Sequence, residues 1–278
     1  MTPKPVDASF RRHGLWALTG RLANFAIVAC SAFIFARLMP SKADFGTFTY
    51  LQSIVALLGI VGGVGSGTVA IRWISEARHE EGSVAEPLLK IAKTLAVTAT
   101  VIGIATGVGL AAWPTSGSFS AGGSLAFVLI GCAVALRSTH QFVGGAARAE
   151  SRLKTANLLD GANGGAISNG LLLLGVIATS CFVSVTWQRA VVSMAIANLV
   201  TALVGIWLLR DLFRTDAIDD EPSATTVSSP SMLSVGVPVA AASLLVFLVE
   251  QLDLLFAGWT LSEDSLADYS AAKRVSLV

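Results

Sequence analysis

The chain has 278 residues, 54% of them hydrophobic and only 13% charged, with a mean hydropathy of +0.71. Nineteen Lys and Arg nearly balance eighteen Asp and Glu for a formal net charge of +1, which excludes a nucleic-acid binder built on a basic field and a charged-tail protein. Soluble domains average about 25% charged residues and disordered chains are far less apolar, so this composition points to lipid as the main solvent.

A bilayer core of ~30 Å needs ~20 apolar residues at 1.5 Å rise per residue. The first such window is 14–37, with Arg21 about a third of the way in and Asn24 one turn on, on the same face. After the turn Ser41-Lys42-Ala43-Asp44 comes a second window, 46–70, in which Gly59, Gly63 and Gly67 recur every four residues. The run Gly62-Gly63-Val64-Gly65-Ser66-Gly67-Thr68 imitates a phosphate loop but lacks its Lys. Inside a membrane helix it reads as close packing through small residues.

A charged stretch from Arg72 to Glu86 leads to the third window, 89–112, and Trp113 to Gly117 break the chain before the fourth, 123–147. The fourth window places Arg137, Gln141, Gly144 and Arg148 at i, i+4, i+7 and i+11 as one polar stripe, with His140 beside it. His140 is expected to be a hydrogen-bonded structural residue near the interface rather than a proton relay. The fifth window, 155–180, presents Asn157, Asp160, Asn163 and Gly164 on one face. Such stripes line a wet cavity or pair across helices, and Arg137 with Asp160 is the ion pair expected first, as structural glue or as part of a substrate path. An ionisable group in hydrocarbon costs several kcal/mol unless it pairs or faces water, so each is a default site hypothesis.

The sixth window is 187–209, and the polar segment Asp211 to Ser231 follows. Its acidic cluster Asp219-Asp220-Glu221 reads as a solvated linker rather than a metal–nucleotide site. A seventh window, 235–258, carries Glu250 and Asp253 at i, i+3. Either carboxylate could take a coupling proton or cation, since desolvation raises its pKa, and Asp253, nearer the interface, could equally stay hydrated. An eighth span is expected to begin near Tyr269 and to be cut off by the end of the chain. Cys30, Cys132 and Cys181 lie far apart without metal spacing and are expected to be small apolar packing residues.

Only helices satisfy their own backbone in hydrocarbon among open structures, so the expected fold is an all-α polytopic membrane protein. Twelve Lys and Arg, among them Arg12, Arg72, Lys90, Arg152 and Arg210, fall on the N-terminus and the even-numbered loops; Arg37, Lys42 and Arg189 fall on the odd ones. The positive-inside rule then puts the N-terminus in the cytoplasm. The Arg11-Arg12 pair and the Ile27-Val28-Ala29-Cys30 box resemble cleavable signals, but the apolar run continues through Cys30 to Ala36 and no cleavage is expected.

One internal match stands out. Phe35-Ala36 and the segment Ser41 to Phe48 recur 221 residues on as Phe256-Ala257 and Ser262 to Tyr269, each copy ending a span and entering the next with an aromatic. Six helices per unit would relate the units by an axis along the membrane normal, as in transporters with a path between halves. The expected division is a six-helix bundle at 1–209, a cytoplasmic linker at 210–232, and the start of a second bundle at 233–278.

The segments Gly14 to Leu22, Phe35 to Pro40, Asp44 to Phe48 and Gly65 to Ile74, with Leu252 to Gly258 and Tyr269 to Ala272, resemble the polysaccharide-unit flippases of the multidrug/oligosaccharidyl-lipid/polysaccharide exporter superfamily. The resemblance implies a MATE-like fold of twelve to fourteen helices in two bundles around a V-shaped cavity, of which this chain would hold one complete bundle and the first one or two helices of the second. It further implies transfer of an undecaprenyl-pyrophosphate-linked sugar unit across the bacterial cytoplasmic (inner) membrane. Lipid II flippases carry further arginines where this chain has Ala26, Ile27 and Val28, which favours a sugar unit.

On that reading Arg21 would grip the pyrophosphate bidentately, unless it is a snorkelling arginine. Asn24, Arg137, Gln141, Asn157 and Asn163 would bind substrate, and Asp160, Glu250 and Asp253 would form ion pairs or carry coupling ions. The partners would be the lipid-linked oligosaccharide, membrane lipid, and a polymerase and glycosyltransferases; no cofactor, metal or nucleic acid is expected. A cation-coupled drug exporter would show aromatic and acidic groups in the cavity instead. A membrane polymerase or glycosyltransferase would need a sizeable outer loop, whereas 113–122, 181–188 and 259–268 are short and, apart from Glu263, Asp264 and Asp268, uncharged.

Overall fold

Hydrocarbon offers a backbone no partner outside itself, and every element described in the computed structural model is helical. The structure describes residues 8–79, 84–112, 123–160, 164–213 and 231–276. Ten α-helices run in order: α1 (Ala8–Leu38), α2 (Lys42–Gly63), α3 (Ser66–His79), α4 (Ala85–Ala112), α5 (Gly123–Ala149), α6 (Leu153–Leu159), α7 (Ala166–Ser180), α8 (Trp187–Leu208), α9 (Met232–Thr260) and α10 (Glu263–Ser276). A 3₁₀ turn at Arg210–Phe213 follows α8. No strand occurs among the described residues.

Among the described residues six apolar segments are long enough to span a bilayer: α1 from Leu18, α2 with α3, α4, α5, α8 and α9. Two windows that the sequence presents as continuous are broken. The second breaks at Val64 (φ 44°) and Gly65 (φ 66°), both left-handed. Glycine adopts that region freely, whereas a β-branched valine is strained in it. The glycine-rich run is therefore a helix break, not the interior of a helix. The fifth window breaks after α6, where Asp160 is extended, and resumes as the 15-residue α7. At 1.5 Å per residue α7 alone is about 22 Å long, too short to span.

Helix α10 starts at Glu263, six residues before the aromatic that marks the expected eighth span. Its start is set by Ser262, whose hydroxyl accepts from the Ser265 N–H at 3.5 Å. The counterpart 221 residues earlier, Ser41, caps α2 by accepting from the Asp44 N–H at 3.0 Å. Sidechain-to-backbone capping of this kind satisfies an otherwise orphaned donor, and it does so at equivalent positions in both copies of the repeat.

Helix α5 is the central post, packed against α2, α3, α4, α6 and α8. One apolar cluster, around Phe35, Phe48, Leu51, Ile130 and Trp187, fills the end where α1 turns into α2. A second, around Ile74, Leu88, Ile91, Phe142 and Leu159, fills the other. Outside these clusters the polarity is inverted: Phe33, Ile104, Leu125, Leu174, Val249 and Trp259 project outward, as a lipid-facing surface requires. The three cysteines lie on that outer surface. They do not pack in the core, because they sit on the outward faces of α1 and α5 and at the end of α7.

The Asp44 carboxylate accepts from the Trp187 N–H at 2.9 Å and Lys42 pairs with Asp268 at 2.8 Å, gathering the α1–α2, α7–α8 and α9–α10 turns at one end. The basic loops collect at the other, where Arg78 pairs with Glu150 and Arg152 with Asp211. The Arg152 hydrogen bond holds the Asp211 carboxyl below the usual carboxylate range. The acidic cluster at 219–221 lies outside the described residues.

Candidate functional site

The glycines of α2 and the polar stripe of α5 face each other. A Cβ on Gly59 would come within 2.5 Å of Arg137 Cγ, and one on Gly63 within 2.5 Å of Gln141 Oε1. One turn further, a Cβ on Gly67 would meet the Gln141 carbonyl at 2.6 Å. Parallel helices with matching four-residue steps thus let long polar side chains of α5 pass beside α2 without a steric wall. The carbonyls exposed by this close approach are bonded: Ser138 Oγ donates to Gly59 O at 3.0 Å and Thr98 Oγ1 to Gly62 O at 2.9 Å.

These side chains reach a cavity of about 810 Å³ enclosed by α1, α2, α3, α5, α6, α7, α9 and α10. Of the residues expected at a site, Arg21, Asn24, Arg137, Gln141, Asn157, Asp160 and Glu250 all line it. Asp253 does not; it turns toward α10. Asn163 lies outside the described residues. Arg21 is exposed to the cavity from α1 and has no side-chain partner among the described residues. Arg137 is only 7% exposed, its guanidinium close to Gly164 and Asn169.

The expected ion pair is not the one formed. Asp160 accepts from Arg148 Nη2 at 2.9 Å, because α6 packs beside the last turn of α5 and the extended backbone at Asp160 turns its carboxylate there. Arg137 is rooted three turns, about 16 Å, before Arg148 on α5 and attracts Asp160 only at longer range, without a direct ion pair. A Cβ on Gly144 would lie 2.4 Å from Asp160 Cβ, so this glycine makes room for the pair.

Asn24 is tied into the wall: its Nδ2 donates to Gly164 O at 2.9 Å and its Oδ1 accepts from Asn169 Nδ2 at 3.0 Å. The contact fastens α1 to the start of α7. His140 is fully buried on the far side of α5 and hydrogen-bonded, as a structural residue would be. Its Nε2–H donates to Asn198 O at 3.0 Å, and its Nδ1 has no hydrogen-bond partner among the described residues. A carbonyl only accepts, so the Nε2–H tautomer is required.

Sequence reasoning did not single out Asn169, Gln251 or Lys273, which also line the cavity. Asn169 and Gln251 have no periodic polar companion on their helices, and Lys273 follows Tyr269 and Ser270 on a helix too polar to stand out as a span. Arg148 was visible as the end of the α5 stripe, but only the fold shows Asp160 beneath it. Among the described residues no group of three His, Cys, Asp or Glu is placed to hold a metal ion. What the lining offers is cationic and amide donors on one side and the carboxylate of Glu250 on α9, a set suited to binding oxygen-rich anions.

A family model described as "Polysaccharide biosynthesis protein" matches residues 10–278, nearly the whole chain. Searches of curated proteins and of solved structures give no match.

Proposed function

The chain belongs to the polysaccharide biosynthesis protein family, and from that premise we propose that it moves an undecaprenyl-pyrophosphate-linked oligosaccharide from the inner to the outer leaflet of the cytoplasmic membrane. It does so by alternating access, without covalent chemistry. The observation that carries this reading is the cavity itself: Arg21, Arg137 and Arg148 line one space with Gln141 and Asn157, set among apolar side chains. Guanidinium groups bind phosphate oxygens bidentately, and amides suit sugar hydroxyls. The prenyl tail stays in lipid while the head crosses the groove.

In this reading 1–209 is the first bundle and 233–278 the start of the second, with the N-terminus and the basic loops in the cytoplasm. Glu250, a cavity carboxylate on a membrane helix, serves as the acceptor of a coupling proton or cation. Glycosyltransferases that build the sugar unit and a polymerase that joins it are the expected functional partners.

A cell whose surface polysaccharide depends on this gene tests the proposal. Arg21→Ala should cut surface polysaccharide at least tenfold with protein level unchanged, and Arg21→Lys should restore part of it, since a lysine keeps the charge but not the fork. Undiminished polysaccharide in Arg21→Ala would remove this residue from the path. Drug resistance that tracks Glu250 while polysaccharide is unaffected would favour a cation-coupled drug exporter, whose cavity is expected to use Phe25, Phe35 and Phe247 beside that acid.

A further inference from the structure

The junction of α9 and α10 holds a charged cluster, centred on Asp253, at the edge of the cavity that Glu250 and Lys273 line. Asp253 Oδ2 accepts from the Tyr269 hydroxyl at 2.6 Å, and Oδ1 accepts from the Leu254 N–H at 2.8 Å and from Lys273 Nζ. Lys273 also donates to the main-chain carbonyl of Glu250. That carbonyl and the Leu254 N–H are the two groups that i, i+4 geometry pairs within a helix, so the cluster engages both sides of one rung of α9. Lys273 is drawn in until its side chain is 10% exposed, against 47% for Asp253.

Carboxylate and carbonyl oxygens around one positive charge are ligand types that hard cations take, and the Tyr269 hydroxyl steadies the carboxylate from its other oxygen. A single carboxylate balances a single positive charge. No group of three acidic or other metal-ligating residues stands here among the described residues, which argues against a divalent ion. We propose that the Asp253 carboxylate, held by the Tyr269 hydroxyl, and the Glu250 main-chain carbonyl form a monovalent-cation site whose occupant is the chain's own Lys273 ammonium. The Asp253–Lys273 pair is thereby neutral without an ion from solution, and a free alkali ion or small alkylammonium takes the place when the lysine side chain is removed. This holds whatever crosses the cavity.

The test is thermal unfolding of the purified full chain in sodium, potassium, methylammonium or choline chloride at equal ionic strength. Wild type should melt at the same temperature in all four. Lys273→Ala should melt about 2–4 °C lower in choline, which is too large for the site, in line with loss of one ion pair in a chain of this size. Sodium, potassium or methylammonium should restore the loss, and Asp253→Asn added to Lys273→Ala should abolish the recovery. A Lys273→Ala protein that melts alike in all four salts overturns the proposal, as does a wild-type protein stabilised by sodium through Asp253. Should Lys273→Ala not fold, the acetylation rate of the Lys273 amine decides instead. It should be slow in wild type and faster in Asp253→Asn; equal rates overturn the assignment.

Discussion

Arg148 and Asp160 show how a single residue's neighbourhood decides its role. Their ion pair is partly buried, with side chains 34% and 13% exposed, so water screens it less than a surface pair. A hydrogen bond to a charged group contributes about 1.5–3 kcal/mol. Asp160→Asn and Arg148→Gln should each destabilise the protein by about 1–2 kcal/mol in detergent, read from urea or thermal unfolding. The double variant should lose less than the sum by at least ~0.5 kcal/mol, the coupling expected of contacting residues. Strict additivity would mean that the pair does not hold α6 against α5. Asp160→Asn with Arg137→Gln should, in contrast, show the smaller coupling, because Arg137 is rooted three turns away.

At the scale of helices, the glycine steps of α2 and α3 and the polar stripe of α5 explain one another. Both patterns are legible in the sequence as four-residue spacings, 59, 63, 67 and 137, 141, 144 to 145, but their mutual contact is not, since spacing alone does not say which helices are neighbours. The helix break at Val64 and Gly65 is also illegible by hydropathy, because an apolar window averages over a left-handed turn. The i, i+11 spacing places Arg137, Gln141 and Arg148 on one wall, and Asn157 and Asp160 of the fifth window line the same cavity; which arginine Asp160 pairs with is not legible, because the fifth window reads as one helix and the extended backbone at Asp160 breaks it. The contacts predict a graded mutational series. Gly145→Ala would place a Cβ 2.2 Å from the Gly67 carbonyl oxygen, which is main chain and cannot swing away. Overpacking of that kind costs about 1–3 kcal/mol. Gly63→Ala meets only the mobile end of Gln141, so it should cost less stability while displacing a cavity side chain. Equal stability losses at the two positions would mean that α3 and α5 are not in backbone contact.

For the molecule as a whole, the repeat is a geometric fact as well as a sequence match. Lys42 and Glu263, the first residues of α2 and α10, are 221 positions apart, as are their Ser41 and Ser262 caps. Gly46 and Ala267 share that offset, and they touch: a Cβ on Gly46 would lie 2.9 Å from the Ala267 nitrogen. Helices α2 and α10 therefore meet in a seam through positions that match in the sequence. That seam lies at the same end as the α7–α8 turn, where Asp44 binds the Trp187 N–H, and the cysteines report on which side of the membrane this end faces. Cys181 is exposed at the end of α7, whereas Cys30 and Cys132 are exposed along α1 and α5 within the apolar surface. With the N-terminus in the cytoplasm, an impermeant maleimide added to spheroplasts should label Cys181 and spare Cys30 and Cys132, which should react only with a membrane-soluble reagent. Labelling of Cys181 only after lysis would invert the orientation. The basic loops would then lie outside, against the charge bias that sets topology.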